Sequence, residues 1–373
     1  MKNKISISVV VCTRNRLEHL KNCLLSLLKQ SYPPKEIIIV DDCSYEDFNV
    51  YEYIKNYIAK LKDRLLETFN DVEIILIKNK KNVGIATSRN VGVKTATGDI
   101  IAFLDDDGFA HKHWLKNLAK NYEDKKILGV GGPVVEIGRS MKTPQKLIKK
   151  LAYIKNGKIF ANYRIKEIRD TGYLPKKFVH FLQGGNMSFR RDVLLHVKGC
   201  DTNLIGNCYR EETDLSFRVA KNGKLLFEPY AITYHNTAKK GGCRDVIDFD
   251  LDKFLYYMYR NTTYFFFKHF NFKKALRFTA KSVYRQIKLI KRNKTGLTRD
   301  YLRLKDIKKS IGSVVVGTLL GFCSWLKLRN KALECICGEP ISLQCFKLML
   351  IGNSLKLIEL KSKTNFIKKL FGI

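Results

Sequence analysis

The chain has 373 residues, 45% of them hydrophobic, enough to bury a large core as one large domain with an appendage or as two domains. A formal net charge of +34 and a pI of about 9.7 make an anionic partner the default expectation, whether nucleic acid, a phosphorylated substrate or an acidic membrane surface. The ten cysteines contain no C-x-x-C pair, and Cys335 and Cys337 have no neighbouring His, which argues against a zinc set or a disulfide framework and for reduced thiols in a cytosolic protein.

The first hundred residues alternate. "ISISVVVC" is β-branched and reads as a buried first strand, too short for the apolar region of a signal peptide. Asn15 with Glu18 three residues later has the form of a capping box, and Leu17, Leu20, Leu24, Leu27 and Leu28 then recur on one helical face. "EIIIVDD" is a second buried strand, followed by a helical segment at about 46–66. "VEIILIK" is a third strand, "GIATSRNVGVKTATG" a helix ended by Gly98, and "DIIAFL" a fourth strand. Apolar strands alternating with helices predict an α/β fold with a parallel sheet covered on both faces. The ligand crevice of such a sheet lies beyond the carboxyl ends of its strands, where "CTRN", "DDCS" and "DDDG" sit.

Beyond Trp114 the pattern loosens. "ILGVGGPVVEI" reads as a strand with a glycine interruption, and the Lys-rich stretch 139–177 as a mobile excursion. Regular structure resumes with "FLQGGNMSFRRDVL" and with "YREETDLSFRVAKNG", a helix that turns Leu215 and Phe217 inward; "KLLFEP" and "AITYHN" then close the core. From there on, aromatic-rich and basic helices dominate, and residues 271–373 hold 23 Lys and Arg against 5 Asp and Glu, +18 of the total.

Four groups carry candidate chemistry. Asp105, Asp106 and Asp107 precede Gly108 in a tight loop, either as a solvated turn or as a hard-cation site whose open positions take diphosphate oxygens. Asp42 ends strand two, where an acid can accept from ribose or base; the other reading is that Asp42 or Ser44 caps the next helix. Gly84 opens a helix whose first turn points into the same crevice and can bind phosphate, with Arg89 further along as a phosphate contact or a structural ion pair. Glu211, Glu212 and Asp214 start an amphipathic helix, either favoured there by its dipole or supplying a carboxylate general base. His235 follows the last core strand as a ligand or a structural residue.

Taken together, "VVVCTRNR", "IIIVDDCS", "NVGIATSRNVG", "IIAFLDDD", "GGNMSFRR", "EETDLSFR" and the final His closely resemble family 2 glycosyltransferases over about residues 5–243. The resemblance implies a GT-A fold, Rossmann-like with a mostly parallel sheet, in a catalytic domain at 1–243, followed by a basic helical region at 244–373. It implies an inverting enzyme that uses a nucleotide-diphospho-sugar donor and a divalent cation, Mn²⁺ or Mg²⁺. It puts Asp42 at the donor base with Thr13 and Arg14 lining that pocket, Asp106 towards the ribose, and Asp105 and Asp107 as the outer members of a D-x-D metal motif. Gly184, Gly185 and Asn186 fall beneath the donor sugar, and His235 at a position that completes the metal site in some relatives. The family usually has Glu-Asp where this chain has Glu211-Glu212, so the base maps to Glu212, with Glu211 as the competing candidate and Asp214 as a structural residue.

The tail suits a protein lying peripherally on an anionic membrane at its cytoplasmic face, close to a glycan or lipid-linked acceptor. Segment 311–326, "IGSVVVGTLLGFCSWL", is shorter than the ~18–20 apolar residues of a span; it reads as interfacial, re-entrant or a buried core helix. Gly317 and Gly321, spaced G-x-x-x-G, favour close helix packing. A sugar-phosphate nucleotidyltransferase would be expected to show a Gly-rich loop after strand one, which "VVVCTRNR" lacks. A nucleic-acid-binding protein is permitted by the charge, but it gives no reason for carboxylates at three element ends of one crevice, so no nucleic acid is expected.

Overall fold

The structure is a computed structural model and describes residues 4–45, 50–64, 72–137, 152–155, 158–160, 164–165, 174–238, 240–247, 250–292 and 306–329. It divides into two compact units, Met1–Met258 and Tyr259–Ile373. A helix, Leu251–His269, runs through the division, whereas the sequence-based boundary at 243/244 lies in the short helix Cys243–Ile247.

In chain order, the first unit contains β1 (Ile7–Thr13), α1 (Leu17–Leu28), β2 (Glu36–Asp41), α2 (Val50–Arg64), β3 (Glu73–Lys78), α3 (Ile85–Thr95), β4 (Ile100–Asp105), β5 (Gly108–Ala110) and α4 (Trp114–Ala119). There follow β6 (Ile127–Gly131), β7 (Val134–Glu136), β8 (Tyr153–Lys155), β9 (Lys158–Phe160), β10 (Arg164–Ile165), β11 (Lys177–Phe178), β12 (Met187–Arg190) and α5 (Arg191–His196). α6 (Glu211–Val219), β13 (Lys224–Phe227), β14 (Thr233–His235), α7 (Cys243–Ile247) and the start of α8 (Leu251–His269) complete it. The remaining part of α8, α9 (Phe272–Lys291) and α10 (Ile307–Arg329) belong to the second unit.

Eight strands form the main sheet in the order β11-β13-β6-β12-β4-β1-β2-β3. β4, β1, β2 and β3 are parallel, and β12 runs antiparallel between β4 and β6. Alternating side chains of each strand serve opposite faces. Val10, Ile38, Ile101 and Phe103 join Ala86 and Val93 of α3 in one core, while Val9, Ile37, Ile39 and Ala102 pack with Leu20, Leu24 and Leu27 of α1 and with Trp114 in the other. The strands are therefore apolar throughout because both faces are covered. β3 departs from this expectation: it is the sheet edge, and its residues are only partly buried.

A second, four-stranded sheet, β10-β7-β14-β5, stands beside the first. "ILGVGGPVVEI" is thus two strands rather than one, β6 in the main sheet and β7 in the small one. The chain switches sheets at Gly132, where a Cβ would lie 2.0 Å from the Ala231 carbonyl oxygen. Stretch 139–177 lies largely outside the described residues, as do Cys335 and Cys337; the seven described cysteines are all free thiols.

Two local expectations are corrected. Asn15 does not cap α1: its φ is +55°, its Oδ1 accepts from the Tyr45 amide and its Nδ2 donates to Asp245, so the side chain ties loops together instead. Gly98 does not end α3, which stops at Thr95. Gly98 instead lies against β1, where a Cβ would come 2.7 Å from Ser8 Oγ.

Candidate active site

The small sheet assembles the centre of the site. β4 ends on Asp105, and β5 begins two residues after Asp106, at Gly108. β14 pairs antiparallel with β5, setting His235 opposite Gly108, and parallel with β7, setting His235 opposite Glu136. Residues 108, 136 and 235 are brought together by strand register alone, and Asp107 arrives as the neighbour of Gly108. His235 Nε2 lies 3.1 Å from Asp107 Oδ1, while its Nδ1 faces Glu136 at 3.3 Å and Thr237 Oγ1 at 3.0 Å. Asp105, Asp107 and His235 offer ligand atoms that all lie within 4.8 Å of one another.

Glu136, buried to 2% exposure, was missed by sequence reasoning. The available signal was an acid closing the apolar run "PVVE", unusual in a covered strand. A carboxylate on the far imidazole nitrogen fixes the tautomer that presents Nε2, the arrangement by which histidine ligands are oriented.

Asp106 and Asp107 are both buried, and two arginines absent from the sequence-based set compensate them. Arg16 Nη1 donates to Asp106 Oδ1 at 2.8 Å and lies 3.5 Å from Asp107 Oδ2. Arg244 Nη1 and the Ala238 amide donate to the same Asp107 oxygen at 3.2 and 3.0 Å. Burial pushes the Asp107 carboxyl up, but His235, Arg16 and Arg244 outweigh it and hold Asp107 well below the usual carboxylate range. For Asp106 burial wins over Arg16, with Asp107 adding to the rise, and the carboxyl is raised. Asp106 also accepts from Thr13 Oγ1 at 2.9 Å. The triplet therefore resolves into Asp105 at the surface, Asp106 on Thr13 and Arg16, and Asp107 on His235 and Arg244.

Arg89 of α3 is buried and lies between two acids. Its Nη2 is 3.1 Å from Asp105 Oδ1 and 3.2 Å from the Gly184 carbonyl oxygen, and its Nη1 pairs with Glu211. The ion-pair reading of Arg89 is thus the one the geometry supports. It also separates the two candidate bases. Glu211 is 2% exposed and held by Arg89; Glu212, next along α6, is half-buried and reaches solvent. Burial raises the Glu212 carboxyl above its ordinary value of 4.5, and the charge on Asp105 adds to the rise, against Arg210 and Arg89. Asp214 is fully buried and bonded to Arg218 at 2.8 Å, as a structural residue would be. Arg210, immediately before α6, has a φ of +81°, a strained backbone placed directly beside the acidic pair. Gly184 and Gly185 are small because others pass close by: a Cβ would meet Arg89 Nη2 at 3.2 Å and Asp105 Oδ2 at 2.9 Å.

On the other side, Asp42 accepts from Asn79 Nδ2 at 3.0 Å and from the Val83 and Gly84 amides at 2.9 and 2.8 Å. The carboxylate expected to meet a base is engaged in shaping the loop that opens α3 at Gly84, whose φ of +82° suits glycine. It does not cap the following helix; Asp41 bonds Ser44 instead. Arg14 donates to the Asp42 carbonyl oxygen at 2.7 Å and to that of Cys43, and its guanidinium stacks over the exposed ring of Tyr45, 5.3 Å from its centroid.

Asn186, expected beneath the donor sugar, is fully buried, accepting from Trp114 Nε1 at 2.9 Å and donating to the carbonyl oxygens of Pro133 and Ala231 at 2.9 and 2.7 Å. All its hydrogen-bonding capacity is directed into the core that joins the two sheets.

The profile of the family described as glycosyl transferase family 2 matches residues 8–197, just over half of the chain. The chain is 33% identical over 206 residues to a glucosyl-dolichyl phosphate glucuronosyltransferase of Haloferax volcanii, covering 53% of this chain and 57% of that protein. It is 27% identical over 180 residues to the glycosyltransferase YwdF of Bacillus subtilis, covering 47% and 60%. The chain thus spans less than two thirds of the length of these curated relatives. Among solved structures, residues 1–349 of S. aureus TarS superpose with a TM-score of 0.51 at 18% identity, covering 84% of this chain and 81% of that one. GalNAc-T7 with UDP, GalNAc and Mn²⁺ superposes with a TM-score of 0.50 at 17% identity, covering 70% and 51%. These likenesses agree with the mostly parallel sheet and its flanking small sheet in assigning a GT-A fold. With sequence profile, fold and a D-x-D group converging on one crevice, the chain belongs to glycosyl transferase family 2.

Proposed function

We propose that this glycosyltransferase moves a sugar from a nucleotide-diphospho-sugar to a hydroxyl of a glycan or lipid-linked acceptor by a single, inverting displacement. The observation that carries the reading is the juxtaposition of a cation-competent trio, Asp105, Asp107 and His235, with a solvent-reaching carboxyl, Glu212, close enough to Asp105 for its charge to be felt. Two carboxylates and one imidazole nitrogen form an oxygen-rich donor set that suits Mn²⁺ and accepts Mg²⁺. Bound there, a divalent cation would offset the charge of the departing nucleotide diphosphate.

The protein's own groups do the rest. Arg16 and Arg244 keep Asp107 ionised, and Glu136 keeps the His235 Nε2 turned towards Asp107. Thr13, Arg14 and Tyr45 border the side of the crevice where Asp42 orders the Gly84 loop, a fitting wall for the donor nucleotide. Glu212, more basic than an exposed carboxylate, takes the acceptor proton as the hydroxyl attacks. Glu211, locked on Arg89, is the weaker candidate.

The second unit, with its basic helices, would hold the enzyme on the anionic cytoplasmic face of a membrane, where a lipid-linked acceptor resides. The Haloferax volcanii relative is named for a dolichyl-phosphate-linked glucose, an acceptor of the same class.

Incubation with a panel of nucleotide sugars, with and without Mn²⁺, tests this reading. Metal-dependent release of nucleoside diphosphate from at least one donor is expected. Release of pyrophosphate from a nucleoside triphosphate and a sugar phosphate would instead mark a nucleotidyltransferase, and no turnover in either assay would remove the enzymatic reading.

A further inference from the structure

The helix α10 is built inside out. Its window Ile307–Lys327 is apolar, with a mean hydropathy of 1.4, yet only 22% of it is buried. A helix of a water-soluble core would turn its large apolar residues inward. Here the buried positions are Ser310, Val314, Gly317 and Gly321, with Ser324 partly buried on the same face, so that apart from Val314 the inward residues are small. Gly321 meets α8, where a Cβ would lie 2.2 Å from the Arg260 carbonyl oxygen, and Ser324 Oγ accepts from Arg260 Nη2 at 3.0 Å. The large residues point the other way: Ile307, Val315 and Leu319 are 43%, 42% and 47% exposed, with Ile311, Phe322 and Leu326 partly exposed along the same stripe. The buried-core alternative for 311–326 is therefore set aside.

Charge specifies what covers this stripe. α9, packed against α10, carries seven Lys and Arg in 20 residues and no acid, and Lys273, Lys274, Arg277, Lys281 and Lys288 are exposed. Lys308, Lys309 and Lys327 bracket the apolar stripe. An aromatic cluster of Phe267, Phe272, Phe322 and Trp325 closes one end, with ring centroids 4.9–6.4 Å apart and Phe272 half-exposed. Apolar residues flanked by cations and an aromatic girdle match an anionic bilayer surface. Crossing the bilayer is disfavoured. Length alone would permit it, since the 21 residues Ile307–Lys327 reach about 31 Å against a ~30 Å hydrocarbon core, but a crossing would draw the cations of α9, packed beside α10, into hydrocarbon, where unpaired charge is costly.

We propose that α9 and α10 lie in the plane of an anionic membrane, with the stripe from Ile307 to Leu326 inserted among the upper acyl chains and the α9 cations among the headgroups. This rests on the membrane reading above and adds depth and orientation to it.

The chain offers its own probe, because it has two tryptophans, and Trp114 is fully buried in the first unit. The full-length protein is floated with vesicles of phosphatidylcholine, with and without phosphatidylglycerol, and its fluorescence is read with lipids brominated at shallow or deep acyl positions. Flotation is expected only with the anionic vesicles, with quenching strongest for shallow bromines and abolished in Trp325→Phe. In the double variant Val315→Lys/Leu319→Lys the bound fraction should fall roughly tenfold, with donor hydrolysis in solution unchanged. Binding without quenching, released by salt, would overturn insertion while leaving surface association standing. Strongest quenching from deep bromines would overturn the in-plane orientation. No flotation with any vesicle would overturn the membrane reading as a whole, while leaving the catalytic reading untouched.

Discussion

The catalytic crevice and the C-terminal helices handle charge in opposite ways. In the crevice the ionised groups are cross-paired and, Asp105 apart, buried: Asp107 with His235, Arg16 and Arg244, and Arg89 with Asp105 and Glu211. On α9 all the cations but Arg285 are exposed, and the helix contains no acid. Buried charge is tolerated only when paired, so in the crevice each residue depends on its partner. Exposed charge costs little to keep and acts collectively on whatever surface it meets. The same chain thus uses electrostatics once for geometry and once for attraction.

The largest expected effect probes the acid that departs from the crevice rule. Glu212 is half-buried and raised above 4.5, so Glu212→Gln should lower transfer about a thousandfold and leave donor binding intact. A raised carboxyl must lose its proton to act as a base, so activity should climb with pH through a midpoint above 4.5 and flatten beyond it. A pH profile of kcat/KM reads this limb. If Glu211→Gln is dead while Glu212→Gln stays active, the base is the other acid.

Next comes a matched pair of substitutions. Asn186→Ala strands Trp114 Nε1 and two carbonyl oxygens in the core and should destabilise by about 2–4 kcal/mol. Lys281→Ala, on the exposed face of α9, should change stability by less than ~0.5 kcal/mol. Thermal unfolding of both variants sharpens the contrast. Equal shifts would break it.

An effect smaller than that of Glu212→Gln falls on Glu136→Gln. It weakens the hold on the His235 tautomer and should reduce Mn²⁺ affinity about 10- to 100-fold, measured by calorimetry without donor. Unchanged affinity, alongside a His235→Ala variant that loses Mn²⁺, would make Glu136 a packing residue.

The contiguous parts of this site were legible in the chain. The parallel sheet, Asp105 and Asp107, Glu212 and His235 sit where an apolar strand or an amphipathic helix meets its loop, and local pattern locates such ends. Glu136, Arg16 and Arg244 were not legible, because their roles exist only through the pairing of β14 with β7 and the closure of the 236–244 loop on Asp107. The core hydrogen bonds of Asn186 were not legible for the same reason. Its motif marks a position in the chain, but the carbonyl groups it satisfies belong to Pro133 and Ala231, 53 and 45 residues away. The inverted face of α10 was hidden because composition alone gives an apolar helix without saying which side turns outward.

The buried Arg89 has a consequence for how this enzyme can change over time. One guanidinium grips Asp105, of the proposed cation site, and Glu211, neighbour of the proposed base, while leaning on the Gly184 carbonyl and the ring of Phe103. Two halves of the machinery that a mutational scan would treat as separate share this hinge pin, so substitutions at 105 and 211 are bound to be epistatic. Adaptation towards new donors or acceptors then has more freedom in the loops around the crevice than across this bridge, which ties the proposed cation site and the proposed base helix into one heritable unit.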